Sequence, residues 1–284
     1  MSLNVGVVAA VVVAGALHAT WNTLVKAGDD RTAMLVLVMV GGGVAWSPVA
    51  ALLPLPEAAS WPFLCASALI HLVYAASLLA AYRHGDLSQV YPIARGSAPA
   101  LVAIGAWLLA GEVLTSIEGV AVGVVSVGIL SLAWRQGGLQ ADSRSVRFAL
   151  LTGITIASYI VVDGMGVRRA GTPLAYVAWL FLAEGASLAC IGIWLRRSRL
   201  RPTLRANWLP GLCGGVIASA SYGIAVWAMS RGAMAHVTAL RETSVLVAAV
   251  IGTRILGEPF GARRIAAAAM VAAGAVALQL AAPG

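Results

Sequence analysis

The sequence predicts an all-α polytopic membrane protein, with ten transmembrane helices arranged as an inverted repeat of two five-helix halves. Three observations predict it. First, of 284 residues 60% are hydrophobic and 11% charged, whereas a soluble domain carries about a quarter charged residues; mean hydropathy is +0.90. Second, the apolar residues fall in long runs matching the roughly 20 residues that a spanning helix needs. Third, particular polar and glycine residues recur at offsets of 146 or 148 along the chain. Lipid offers no partner to backbone N–H and C=O groups, so spanning elements are helices or a closed barrel. The runs are continuous rather than alternating, which selects helices.

Taken in order, the expected helices are residues 3–26, 32–53, 62–83, 90–110, 114–134, 147–168, 173–195, 207–230, 236–256 and 262–282. The first is expected to be a spanning helix rather than a cleaved signal, because the first basic residue is Lys26. "AGDDRT" (27–32) turns the chain into the second helix, and "LPLPEAAS" (53–60) into the third. Tyr91-Pro92 opens the fourth, where proline costs little. Pro99 lies further inside that helix and is expected to kink it. Gly119 and Gly123 form a GxxxG pair in the fifth helix, and "AAAAMVAAGA" (266–275) is its small-residue counterpart in the tenth. Such faces admit close helix approach, either between the two halves or in a dimer. The longer polar stretches are 135–147 and 196–207, and the first divides the chain into units of 1–140 and 141–284.

The two units resemble each other. Tyr74 through Arg83 aligns with Tyr222 through Arg231, an offset of 148 (222 − 74). Arg95, Glu112 and Gly128 align with Arg241, Glu258 and Gly274, an offset of 146 (241 − 95). The match between "HATWNTLVKAG" (18–28) and 156–171 is weaker and needs an insertion. Five helices per unit would send the second copy through the membrane upside down, the plan of alternating-access carriers with a midplane site.

Of nineteen Lys and Arg, Arg95 and Arg241 fall within spans, and Arg168, Arg169 and Arg231 fall on one face, leaving fourteen (19 − 2 − 3) for the other. The positive-inside rule places that richer face in the cytoplasm and both termini outside, in a cell inner (plasma) membrane. The net charge of +8 therefore reads as a topology signal and not as a nucleic-acid surface. Cys65, Cys190 and Cys213 sit in apolar runs with no metal-ligand spacing. No Ser/His/Asp grouping, metal cluster or phosphate loop is present, so an enzyme is not expected, and no cofactor is called for.

"LLAGE" (108–112) and "ILGEP" (255–259) close the fourth helix of each half, and the fifth helices are rich in glycine and small residues. With ten helices and the five-plus-five repeat, the chain resembles the drug/metabolite transporter superfamily, EamA type, over essentially its whole length. The resemblance implies a carrier for amino acids or other small metabolites and names no substrate.

Charges inside a bilayer are costly, about 2.5–3.5 kcal/mol at a helix centre on insertion scales, and mark functional candidates. Arg95 and Arg241 occupy matched positions. Each either snorkels to the interface or captures an anionic substrate group bidentately; Glu242 is a further candidate partner for Arg241. Asp163, one turn beyond Tyr159, suits a substrate amine or a proton, or pairs with Arg168 or Arg169. Glu184 lies deepest in its run and is the proton-coupling candidate, since burial disfavours the charged form. Its alternative is a hydrogen bond to a neighbouring helix. His71 and Tyr74 share a helix face, Tyr222 is the mate of Tyr74, and His18, Trp21 and Asn22 form one stripe.

The expected substrate site is thus Arg95, Arg241, Trp21, Asn22, His71, Tyr74, Tyr159, Asp163 and Tyr222. The expected function is secondary-active transport of small polar metabolites, above all amino acids and related zwitterions or organic anions. The alternatives are an exporter of cationic or aromatic compounds anchored by Glu184 and Asp163, and a channel or structural membrane protein. The expected partners are a small-molecule substrate, the lipid bilayer and protons as coupling ion, in a monomer or homodimer.

Overall fold

The computed structural model describes residues 3–27, 31–84, 87–134, 142–247 and 262–281, with the backbone alone at 26–27, 31–32, 82, 87–89 and 191–205. Among them the regular elements are all helical: α1 (Val5–Ala27), α2 (Arg31–Leu52), α3 (Trp61–His84), α4 (Leu87–Ala110), α5 (Ser116–Leu130), α6 (Ser143–Val167), α7 (Pro173–Met229), α8 (Met234–Arg241) and α9 (Ala262–Ala281), with short 3₁₀ turns at Ala58–Ser60 and Ser131–Ala133. Nine segments among the described residues are long and apolar enough to cross a membrane. The chain is a multi-pass membrane protein.

Local chemistry explains the element ends. Gly111 adopts φ 69°, the left-handed conformation that terminates α4 without a Cβ clash. Four residues on, Thr115 caps α5. Its Oγ1 accepts from the Glu118 N–H at 3.3 Å, while Glu118 Oε2 accepts from the Thr115 N–H at 2.7 Å, a reciprocal capping box. Pro92 and Pro99 both lie inside α4 without ending it.

Two expectations change. The expected seventh and eighth helices form one run of helical backbone, α7, holding two apolar spans, Pro173–Cys190 and Ala206–Met229. A Cβ on Gly43 of α2 would stand 3.2 Å from Gly185, and one on Gly42 would stand 3.4 Å from the Gly215 carbonyl. Residues 185 and 215 would be about 45 Å apart on a straight helix, yet they meet adjacent residues of α2. The chain therefore turns back between the two spans, and α2 packs against both arms. The second change concerns the expected helix 236–256. Its described part breaks at Glu242–Thr243, between α8 and a helical stretch at 244–247. Residues 248–261, with Glu258 and the "ILGEP" motif, lie outside the described residues.

The matched glycines pack reciprocally. A Cβ on Gly128 would meet Met270, the Ala267 carbonyl and Val271 of α9; one on Gly274 would meet Val125 and the Ala121 carbonyl of α5. Ala121 and Val125 stand at the same offset of 146 from Ala267 and Val271 (267 − 121, 271 − 125). Gly119 and Gly123, by contrast, have nothing within 4 Å. The α5–α9 contact is made by the face of α5 that carries Ala121, Val125 and Gly128, and not by the face of the GxxxG pair.

Candidate functional site

A cavity of about 410 Å³ lies where α1 ends and α2 begins, and where α3 ends and α4 begins. The second half of α3 supplies His71 and Tyr74 and runs out to Arg83 and His84 at the mouth; α1 supplies His18 and Trp21, α4 Arg95, α6 Tyr159, α7 Phe181, Glu184, Ser219 and Tyr222, and α8 Arg241. Helix assembly thus brings eight of the ten expected residues together: Trp21, His71, Tyr74, Arg95, Tyr159, Glu184, Tyr222 and Arg241. The expected mates Tyr74/Tyr222 and Arg95/Arg241 both face this space, as do His71 and Ser219, which share the 148 offset (219 − 71).

Asn22 and Asp163 are not in its wall. The Asn22 amide donates to the His18 carbonyl one turn back, at 2.7 Å. Asp163 is fully buried behind Tyr222. It pairs with neither Arg168 nor Arg169: Tyr222 Oη donates to Oδ2 at 2.6 Å and Tyr176 Oη to Oδ1 at 3.0 Å. Tyrosine donors satisfy the carboxylate there without a second charge.

Neither deep arginine snorkels. Arg95 and Arg241 are each 5% exposed. Arg95 Nη2 donates to Glu242 Oε1, an ion pair spanning 147 residues of sequence. Glu242 therefore partners Arg95 and not its neighbour Arg241, because adjacent helical residues point apart. Arg241 instead donates from Nη2 to His18 Nδ1 at 3.1 Å, and its guanidinium lies 5.1 Å above the Tyr222 ring centroid. Sequence reasoning placed Glu242 and His18 among the buried polar residues but outside the site. Both work through partners more than a hundred residues away, which periodicity does not reveal.

Glu184 Oε1 faces His71 Nε2 at 2.9 Å. The other ring nitrogen, Nδ1, lies 2.9 Å from the Ser67 carbonyl. A carbonyl only accepts, so Nδ1 carries a hydrogen. One further proton then lies between Nε2 and the carboxylate, giving either an imidazolium–carboxylate pair or a neutral imidazole with a carboxylic acid. The His71 ring stacks on Tyr159, with centroids 4.1 Å apart.

The opposite end of the bundle is filled. Tyr176, Met229 and Met234 are buried there. Arg168 Nη2 donates to Glu112 Oε1 at 2.5 Å and to the Gly232 carbonyl at 2.8 Å, while its Nε donates to the Met229 carbonyl at 2.9 Å. Glu112 Oε2 accepts from the Met234 N–H at 2.9 Å. The turns after α4, α6 and α7 are thereby tied together. Glu112, expected as a repeat marker, is one of these ties. Among the described residues no group of three or more His, Cys, Asp or Glu is disposed to hold a metal ion.

Residues 144–279 match the model of the EamA-like transporter family. A solved structure described only as the crystal structure of a protein is 17% identical, covers 96% of this chain and 95% of its own, and superposes with a TM-score of 0.71. At that identity the likeness concerns the fold. No curated protein matches the chain.

Proposed function

We propose that this chain, an EamA-like transporter by the match over residues 144–279, is a secondary-active carrier of small polar metabolites, amino acids and related organic anions among them, working by alternating access. The family match implies a membrane transporter of the drug/metabolite type. The finer reading is carried by one observation: a polar-edged cavity that reaches one end of the bundle while the other end is packed and tied. A channel needs a path through; a carrier needs a site open to one side at a time. The matched arginines and tyrosines in its wall accord with the repeat expected from the sequence.

Protons are the coupling ion in this reading. The His71–Glu184 pair holds one transferable proton within the cavity wall, where substrate and proton can compete for it. The richer basic face, which holds Arg83 at the mouth, is cytoplasmic in this reading, so the described state faces inward.

Reconstituted vesicles test it. Uptake should saturate and show counterflow, and a pH gradient should drive accumulation. Glu184→Gln should abolish gradient-driven accumulation while exchange persists. Flux that rises linearly with concentration and shows no counterflow would point to a channel, and unchanged pH-gradient coupling in Glu184→Gln would remove the proton role.

A further inference from the structure

We propose that the cavity receives a monoanion through its carboxylate, with an apolar body, because among the described residues the buried polar atoms left unmet in its wall are all hydrogen-bond donors, His18 Nε2–H first among them. The inference rests on the carrier reading above and narrows the substrate class of the same site.

His18 fixes the argument. Its Nδ1 lies 3.2 Å from Trp21 Nε1 and 3.1 Å from Arg241 Nη2. An indole N–H and a guanidinium can only donate, so Nδ1 is the bare, accepting nitrogen. The hydrogen is therefore on Nε2, or the ring could not accept at all. That Nε2–H is buried and has no protein acceptor, although His18 is only 6% exposed and lines the cavity. Arg95 Nε and Arg241 Nε are likewise buried N–H groups without an acceptor. Both arginines line the cavity, and behind them they share a second space of about 10 Å³, no larger than one water requires. Buried donors without partners are expensive, charged ones most of all. An oxyanion, which only accepts, relieves that cost.

The charges point the same way. Glu242 is held by Arg95, Glu184 by His71, and Asp163 by two tyrosine hydroxyls. Among the described residues, each carboxylate at or behind the wall thus has its partner, and none is left to receive an ammonium group. Arg241 rests on a neutral imidazole and a tyrosine ring, and Arg83 stands exposed at the mouth. A guanidinium without a carboxylate, beside unmet donors, favours an anion over a zwitterion. Most of the rest of the wall, including Trp21, Tyr74, Phe181 and Leu188, is apolar or aromatic and suits a hydrocarbon body.

The test uses the full chain in detergent and two isosteric series: 4-methylpentanoate, leucine and isoamylamine; 3-phenylpropionate, phenylalanine and 2-phenylethylamine. Binding is read as a rise in thermal stability with concentration. The carboxylates should bind at least as tightly as the amino acids, with no response to the amines. His18→Phe should weaken carboxylate binding about tenfold, the loss of one charge-assisted hydrogen bond, and His18→Asn should recover part of it. Tighter binding of either amino acid than its matching acid, a response to an amine, no response to either acid at millimolar concentration, or unchanged affinity in His18→Phe would overturn the proposal. Should His18→Phe fail to fold, the unsubstituted protein labelled with ¹⁵N-histidine decides. The His18 signal, assigned by replacing the other three histidines in turn, should show the Nε2–H form and move on adding 4-methylpentanoate; an Nδ1–H form or a static signal sinks the idea. Counterflow separates the two claims. Carboxylate binding without counterflow would refute carrier action and leave the site standing, whereas counterflow of leucine or isoamylamine without carboxylate preference would refute this inference alone.

Discussion

The ion pair between Arg95 and Glu242 is the residue contact on which most depends. Both side chains are almost fully buried, in a medium where charge is tolerated only in company. Removing one partner strands the other, which costs about 3–5 kcal/mol in buried pairs, whereas removing both is far milder. Glu242→Gln is therefore expected to lower the apparent melting temperature sharply, and Arg95→Gln together with Glu242→Gln to recover much of it, as measured by thermal unfolding in detergent. Equal destabilisation in single and double variants would show that the two side chains do not act as a pair. Much at this scale was legible in the sequence. Isolated charges within apolar runs singled out Arg95, Asp163, Glu184, Arg241 and Glu242, and helical spacing grouped His71 with Tyr74 and Trp21 with His18. What was not legible is who meets whom. A one-dimensional pattern gives a residue's face and depth, but Arg95 finds Glu242 only through the placement of α4 against α8. The same limit hid Asn22 turning back onto its own helix and Asp163 retreating behind Tyr222.

Among the helices, the small residues decide which pairs come close. A leucine at Gly128 would drive side-chain atoms into Met270 and the Ala267 carbonyl. Overpacking of this kind costs about 1–3 kcal/mol, so Gly128→Leu should unfold earlier on heating. Gly119→Leu meets nothing within 4 Å and should change stability by less than about 0.5 kcal/mol. A larger loss at Gly119 would mean that a second molecule covers that face, and size-exclusion chromatography with multi-angle scattering would detect it. The sequence marked Gly119, with Gly123, as a site of close approach, and Gly128 as the repeat mate of Gly274. It could not tell the packed one from the open one, because that depends on the rotation of α5 about its own axis. Helix boundaries read from hydropathy were accurate where Gly, Pro or charges punctuate the runs, as at Gly111. They missed the break at Glu242–Thr243, which no glycine or proline announces.

For the molecule as a whole, the charge count fixes an orientation that can be checked. The face with fourteen basic residues (19 − 5) should be cytoplasmic. A reporter that is active only in the cytoplasm, fused after Gly284, should stay dark; a bright fusion would reverse the assignment and with it the side to which the cavity opens. The fold class and the helix plan were accessible from composition and run length, because a bilayer leaves so few backbone solutions. Which end of the bundle is open was not, because that depends on how the helices tilt and on the ties made by Glu112 and Arg168.

The seam between α2 and the two arms of α7 carries a mechanical consequence. Glycine faces glycine there, backbone on backbone: Gly43 against Gly185, and Gly41 and Gly42 against Gly211 and Gly215. Such a contact contains no rotamers that could rearrange to let one helix slide past another. The three segments should therefore travel together as a stiff slab, taking Phe181, Glu184, Ser219 and Tyr222 along as one fixed half of the binding surface. In the proposed carrier, a swing that exposes the site to the other compartment is then made against that slab by α1, α3, α4 and α6, which bring His18, His71, Arg95 and Tyr159. The pair His71–Glu184 straddles the line of movement, so the proton it holds sits where the two moving parts meet.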